Sequence, residues 1–411
     1  MKRLVTDVLV IGGGAAGMAC ALSAAKTGVE VTLLEREPVV GGVLNQCIHN
    51  GFGLQFYQEE LTGPEFAVRL QNEMNQEKVT VIGESYVREI DVIKKRALVL
   101  SPLGAFEIFS KAVVISTGAR ERPFGSLLIQ GDRPSGIMPA GLAQRYVNLE
   151  NYLPSRKAVV LGSGDIGLIM ARRLTLEGVE VVGVVERMPY PGGLTRNIVQ
   201  CLEDYEIPLL LSTTVTKVLG NGRLEEIEIS EVDESFVPIP GTSRRLKADT
   251  LILSAGLLPQ VEDFDNDLRV DPINKGFLVS NTGESSIEGV FAAGNNVAIF
   301  DLVDYVAAEG WIAGRHAALF ALGESASGDR IPVFRGENVG VLVPGIVDME
   351  EHLRLYLRLR KPMNKGTVIL KELDFEKAFS YGVPSEMIQI AMNKEKLAPL
   401  IGAGRLTVEV R

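Results

Sequence analysis

Two stretches of the chain carry the same order of apolar and polar positions. Residues 8–37 read VLVIGGGAAGMACALSAAKTGVEVTLLERE, and residues 158–187 read AVVLGSGDIGLIMARRLTLEGVEVVGVVER. Each opens with an apolar run of strand length and continues through G-x-G-x-x-G into a helical pattern. Each then reaches GVEV, which starts a second apolar run ending in an acid, Glu35 or Glu186. Strand, glycine turn, helix and strand with a terminal acid form the β-α-β unit that binds a dinucleotide. A lone G-x-G-x-x-G is weak evidence, whereas two copies in full context are strong.

Each position has a physical reason. Gly12 permits the tight turn out of the first strand. Gly14 lets backbone approach a pyrophosphate, and Gly17 lets the helix pack closely on the strand. The helix starting near Ala15 and Ala16 points its unpaired N–H groups and positive dipole end at the phosphates. Glu35 is placed to accept hydrogens from both hydroxyls of a ribose. Gly162, Gly164, Ile166, Gly167 and Glu186 repeat this arrangement.

The rest of the chain is organised around these copies. Residues 79–100 and 105–115 alternate as strands do, and the second stretch runs into KAVVISTGARERP, where Thr117 and Gly118 suit backbone passing close to a ligand. Residues 208–250 are also strand-like and lead to DTLILSAGLLP, the same device with Gly256. GVFAAGNNV at 289–297 and a helical pattern from about Val303 to Leu322 follow. The first domain is thus expected to close only after the second has been inserted. The expected division is 1–120 with 258–325, then 121–257, then a small unit 326–411 behind a linker at 322–330. In that last unit, residues 350–362, GTVILKEL and RLTVEVR read as strands, and PSEMIQIAM as a short mixed segment. Arg354, Arg358, Arg360 and Lys361 read as the wet face of a sheet, with an anion-reading patch as the alternative.

Composition narrows the functions. A length of 411 residues allows about two to four domains. With 46% hydrophobic and 23% charged residues the chain is not intrinsically disordered. The net charge of −10 gives no general pull on phosphate backbones, which argues against nucleic acid as a partner. Three dispersed cysteines and three dispersed histidines supply no metal or iron–sulfur constellation, so no metal is expected. The same cysteine count excludes a disulfide scaffold and makes the cytoplasm the expected compartment. Lys2 and Arg3 before an apolar stretch superficially resemble a signal peptide, but Asp7 interrupts it. No segment has the roughly 18 uncharged apolar residues of a membrane span.

GGGAAG with Glu35, STGARERP, GSGDIG, SAGLLP and FAAGN occur in the order found in two-dinucleotide flavoproteins. The chain therefore resembles the pyridine nucleotide–disulfide oxidoreductase superfamily over residues 5–320. That resemblance implies an α/β fold of two Rossmann-like domains, an FAD domain with an NAD domain inserted, plus the small, mostly β C-terminal unit. It implies an enzyme that transfers hydride between NAD(H) and FAD. Glu186 favours NAD(H) over NADP(H), because a carboxylate repels a 2′-phosphate, although Arg187 could meet one. The residues expected at FAD are Gly12, Gly14, Ala15, Ala16, Gly17, Glu35, Arg36, Gly42, Val87, Thr117, Gly118, Gly294 and Asn295. Those expected at the nicotinamide nucleotide are Gly162, Gly164, Ile166, Gly167, Glu186 and Gly256. Asn295 stands where the superfamily carries an Asp that holds the ribityl chain.

GGVLNQCIHNGFGLQFYQEELTGPEFA and RPSGIMPAGLAQ further resemble the FAD/NAD-binding subunits that accompany anaerobic glycerol-3-phosphate dehydrogenase-like proteins. Subunits of that kind work in complexes, which implies a partner dehydrogenase or electron-transfer subunit. Disulfide reductases carry a CxxxxC pair after the first unit. Here Cys47 stands alone and Phe52 occupies the second position, so no dithiol relay is expected. Cys47 and His49 are the candidate reactive side chains. They are either a lone redox thiol with a nearby imidazole, or a packing thiol and a histidine bonded to backbone. Two further functions remain open: a stand-alone single-cysteine NADH oxidase, peroxidase or coenzyme A disulfide reductase-like flavoenzyme, and a flavin-bound scaffold that does not turn over. Cys20, Cys201 and His316 are expected to be structural, the last in a helix facing small residues.

Overall fold

A computed structural model describes residues 2–262, 264, 268–325 and 328–411. Residues 326 and 327, within the expected linker, lie outside the described residues. The helices described are α1 (Ala15–Ala25), α2 (Gly63–Met74), α3 (Ala140–Asn148), α4 (Asp165–Leu176), α5 (Thr195–Cys201), α6 (Val303–Leu322) and α7 (Pro399–Ala403). The chain divides into two compact units, Met1–Ala119 with Leu258–Arg411, and Arg120–Leu257.

Unit 1 is built on a seven-stranded sheet. Its order is Val79–Ile82, Val31–Leu34, Lys2–Ile11, Gly104–Ile115, Arg96–Ser101, Tyr86–Asp91. Val290–Ala292 joins alongside the end of Gly104–Ile115, in parallel. That long strand changes neighbours along its length. Its first part pairs antiparallel with Arg96–Ser101, and its last three residues pair with Val290–Ala292. The sequence motif is thereby completed by residues far along the chain. Both faces of the central strands are buried: Val8, Val10, Ala112 and Val114 on one side, Leu9, Ile11, Val113 and Ile115 on the other. This is why these strands read as unbroken apolar runs.

α1 and α6 cover one face of this sheet with almost no side-chain bulk between them. A Cβ at Gly310 would strike the carbonyl oxygen of Ala16, and one at Gly314 the carbonyl oxygen of Cys20. α1 is buried along its whole length, which explains its run of alanines.

The C-terminal strands belong to unit 1. They form a five-stranded sheet in the order Ile346–Asp348, Arg330–Arg335, Leu406–Val410, Met363–Leu370, Phe375–Gly382, and a three-stranded sheet, Val339–Val343, Leu353–Leu359, Ile388–Met392. They share a core of aliphatic residues, including Leu355, Leu357, Val368 and Val408. The mixed segment PSEMIQIAM contains the strand Ile388–Met392.

Unit 2 repeats the architecture. Its parallel sheet has the order Ile137–Pro139, Thr250–Leu253, Lys157–Leu161, Glu180–Val185, Leu209–Leu210. A second, mainly antiparallel sheet contains Gln130–Gly131, Thr213–Leu219, Glu226–Glu231 and Arg244–Lys247. In both units the motif strand lies between the strand that ends in the acid and the one that leads to the later Gly118 or Gly256.

Candidate dinucleotide-binding sites

In unit 1 the turn after Lys2–Ile11 is dictated by its glycines. Gly12 has φ +102°, a left-handed conformation, and a Cβ there would lie 2.5 Å from the carbonyl oxygen of Ser116. A Cβ on Gly17 would collide with the carbonyl oxygen of Gly12 and come within 2.7 Å of Ser116 Oγ. Gly14 is different: no atom lies within 4 Å of where its Cβ would be. That opening sits directly at the N-terminus of α1, where unpaired amides face outward. Gly118, at φ +71°, also faces open space. The gap at Gly14, beside the free amides of the α1 N-terminus, has the room and the donors that a pyrophosphate such as that of FAD would need.

Glu35 is buried and its carboxylate is already held by backbone. Oε2 accepts the Gly13 N–H at 2.7 Å and Oε1 the Glu37 N–H at 2.9 Å. The acid therefore shapes the turn, and two of its acceptor positions remain free of protein donors. Asn295 accepts the Phe300 N–H at 3.1 Å through Oδ1, which leaves its NH2 group as the donor in place of an Asp oxygen. Gly294, at φ +84°, places this turn against Ala16, with a Cβ–Cβ approach of 2.9 Å for any side chain there. Thr117 is tied by its hydroxyl to the carbonyl of Gln260 at 3.2 Å. Gly42, at φ +54°, passes close to Gly14, whereas Val87 lies on the outer strand Tyr86–Asp91 and Arg36 follows Glu35 at the surface.

Cys47 is half-buried and follows a 3-10 turn, Gly42–Gln46. Its carbonyl accepts the N–H of Gly63 at the start of α2. His49 contacts the Asn50 carbonyl through Nδ1 at 3.0 Å and its ring lies 5.0 Å from that of Phe52. No disulfide joins the three cysteines; Cys20 and Cys201 are buried in cores, and burial pushes the Cys201 thiol up to about 11. His316 does not simply face small residues. Its Nε2 lies 3.1 Å from Glu351, a tertiary contact that helical spacing alone does not reveal. Arg354 and Arg358 are half-buried rather than fully wet, and Arg354 lies beside Glu309, itself half-buried with its Oε1 shielded from solvent.

Asp304 was not singled out by sequence reasoning. From the first turn of α6 its buried carboxylate receives the backbone N–H groups of Gly53 (3.1 Å), Gln55 (2.8 Å) and Phe56 (2.8 Å). It fixes the chain segment that follows Cys47 and His49.

Unit 2 reproduces the turn, with Ser163, Asp165 and Ile166 where unit 1 has Gly13, Ala15 and Ala16. Gly162 has φ +99° and its Cβ would strike the Ser254 carbonyl; Gly167 is closed by Ser254, whose Cβ would lie 2.6 Å away. Gly164 is less open than Gly14, since Ser254 Oγ would lie 3.5 Å from its Cβ. Ile166 is half-buried in the first turn of α4, and Gly256, at φ +92°, opens towards Arg122. Glu186 is buried and accepts from Ser163 N–H (2.9 Å), Ser163 Oγ (2.7 Å) and Met188 N–H (2.9 Å). Arg187 does not reach towards that carboxylate; its guanidinium lies over the Phe236 ring, 5.0 Å from the centroid. Glu121 of the ARERP segment has a structural task. Oε1 accepts the Gly141 N–H at 2.8 Å, so it caps α3, whose own N-cap position is Pro139, and burial raises its carboxyl above the usual range.

Among the described residues no cluster of histidine, cysteine and carboxylate side chains could hold a metal ion, and no helix is long and apolar enough to cross a membrane.

The profile of the pyridine nucleotide-disulphide oxidoreductase family matches residues 6–315. The chain belongs to this family. As a pyridine nucleotide-disulphide oxidoreductase it is an FAD-dependent oxidoreductase of the two-Rossmann-domain kind, and members of the family bind FAD and a pyridine nucleotide. It is similar to the alpha subunit of the sarcosine oxidase of Corynebacterium sp. (strain U-96), 29% identical over 273 residues, 62% of this chain and 27% of that protein. It is also similar to one of the subunits of the opine oxidase of Agrobacterium tumefaciens (strain Ach5), 26% identical over 341 residues, 77% of this chain and 65% of that protein. The chain thus spans less than two thirds of either relative. In fold it is similar to the T. acidophilum thioredoxin reductase, with TM-score 0.63, 21% identity, and coverage of 78% of this chain and 99% of that one. The L-proline dehydrogenase from P. horikoshii gives 0.56 at 21% identity, covering 79% and 57%.

Proposed function

We propose that unit 1 holds FAD, that unit 2 holds NAD(H) in preference to NADP(H), and that the chain passes electrons to or from a partner dehydrogenase. The observation that carries this reading is the repetition, in both units, of a glycine turn whose buried acid is fixed by backbone N–H groups. FAD supplies the two-electron chemistry, exchanging a hydride with the nicotinamide ring. The protein residues bind and orient. The α1 and α4 N-termini face the pyrophosphates, Glu35 and Glu186 take ribose hydroxyls, and Asn295 donates to the flavin side chain. Asp304 keeps the segment after Cys47 and His49 in one shape.

The partner reading is supported by the relatives, which are named as subunits of sarcosine and opine oxidases. GGVLNQCIHNGFG points in the same direction, towards the subunits found with glycerol-3-phosphate dehydrogenase-like proteins. A stand-alone single-cysteine flavoenzyme is the second reading, favoured by the partial exposure of Cys47 two residues before His49.

Anaerobic titration of the purified yellow protein tests the proposal. Bleaching near ~450 nm by NADH, faster than by NADPH, is the expected result. A colourless chain that takes up no FAD, or a flavin reduced by neither nucleotide, overturns it, the latter in favour of a scaffold. Cys47→Ser separates the first two readings: unchanged NADH–dye activity supports the partner reading, and its loss supports the single-cysteine enzyme.

A further inference from the structure

The two glycine turns differ at one position that faces the acid. Gly13 of the first copy is replaced by Ser163 in the second, and Ser163 is completely buried. Its hydroxyl gives its single proton to Glu186 Oε2 at 2.7 Å and accepts the Gly192 N–H at 2.8 Å. It is thus a built part of the site rather than a surface residue.

The consequence lies in counting acceptors. An ionised carboxylate offers about four lone-pair positions. Glu35 has two of them occupied, one by Gly13 N–H and one by Glu37 N–H. Two remain, enough for both hydroxyls of a ribose. Glu186 has three occupied: Ser163 N–H and Ser163 Oγ–H on Oε2, and Met188 N–H on Oε1. One remains, on Oε1. The second copy can therefore accept only one ribose hydroxyl where the first can accept two.

We infer that Ser163 is a positioning residue that holds down the affinity of unit 2 for its nucleotide, by filling the Glu186 acceptor position that a second ribose hydroxyl would otherwise take. This rests on the reading of unit 2 as the nicotinamide nucleotide domain. It gives a physical difference between a cofactor that stays and one that must exchange during turnover. The same hydroxyl fixes the Glu186 carboxylate and tethers the 189–193 segment through Gly192.

The sign of the effect separates this from a merely structural role. Removing a structural hydroxyl weakens binding; removing this one should strengthen it. Calorimetric titration of the FAD-loaded full chain with NAD+ reads it directly. Ser163→Gly, which restores the residue of the first copy, and Ser163→Ala should each lower the Kd about three- to tenfold, the worth of one net hydrogen bond. In a Glu186→Ala background, Ser163→Gly should give no gain. An unchanged or raised Kd in both single variants overturns the inference, as does a gain that persists without Glu186. Wild-type chain that binds neither NAD+ nor NADP+ overturns the reading of unit 2 itself, and this inference with it.

Discussion

The carboxylate of Asp304 accepts the backbone N–H of Gln55 at 2.8 Å, joining the first turn of α6 to a segment 249 residues earlier in the chain. With Gly53 and Phe56 it takes three backbone donors, and its position at a helix N-terminus favours the negative charge. Asp304→Ala leaves these amides without an acceptor and is expected to cost about 2–4 kcal/mol, with Asp304→Asn intermediate. Denaturant midpoints measure the loss. Amide exchange at Gln55 and Phe56 should accelerate more than exchange in the central strands.

Gly310 meets Ala16 backbone to backbone. Alanine in a helix interior is favoured over glycine by about 1 kcal/mol, so propensity alone predicts stabilisation by Gly310→Ala. The steric conflict opposes it, and overpacking costs about 1–3 kcal/mol or more. Net destabilisation is expected. Because α1 begins at the glycine turn, the displaced helix should also weaken flavin retention, seen as FAD released on gel filtration.

Glu309 carries a pH dependence. Burial raises its carboxyl from 4.5 to about 7, against the opposing effects of Arg354 and the Tyr356 hydroxyl, and among the described residues its Oε1 has no hydrogen-bond partner. The folded state holds this proton more tightly than the unfolded one. Stability is therefore highest below about 4.5, falls as the pH rises towards about 7, and is flat beyond. The penalty at neutral pH is of order 3 kcal/mol. Glu309→Gln should remove most of this slope in stability measured between those limits.

Nucleotide preference is expected to depend on Glu186 with Arg187 held away. Glu186→Ser should narrow the NADH-over-NADPH preference in flavin reduction by about tenfold, since the carboxylate no longer repels a 2′-phosphate. Phe236→Ala, which frees Arg187 from the ring, should narrow it by about two- to fivefold, the worth of an exposed cation–π contact. No change in either variant would place discrimination elsewhere.

The duplicated turn was legible because its glycines, helix and terminal acid lie within 30 residues of one another, although the Ser116 carbonyl that requires Gly12 is remote in sequence. α6 was legible from the helical run Val303–Leu322, and FAAGN marked the return to the first domain, but the closing strand Val290–Ala292 was not read as one. Of the C-terminal strands, Leu353–Leu359, Met363–Leu370 and Leu406–Val410 were legible, while Arg330–Arg335, Val339–Val343, Ile346–Asp348 and Phe375–Gly382 were not, and neither was their membership of unit 1, since no local pattern encodes which core a strand joins. Asp304 escaped notice because its partners are remote in sequence, and Ser163 because it sits in a variable position of its motif. A hydroxyl there is read only from where it points. Glu121 was visible as part of ARERP, yet its task depends on α3 lying beside it.

The position of Val290–Ala292 against Gly104–Ile115 has a consequence for biosynthesis. Residues 120–257 form one uninterrupted stretch and can complete their contacts as soon as they leave the ribosome. The opening segment cannot. Its first helix waits for Gly310 and Gly314, made some 300 residues later, to cover a surface of alanines. The 120–257 stretch can therefore mature first, while α1 stays uncovered until α6 has been made.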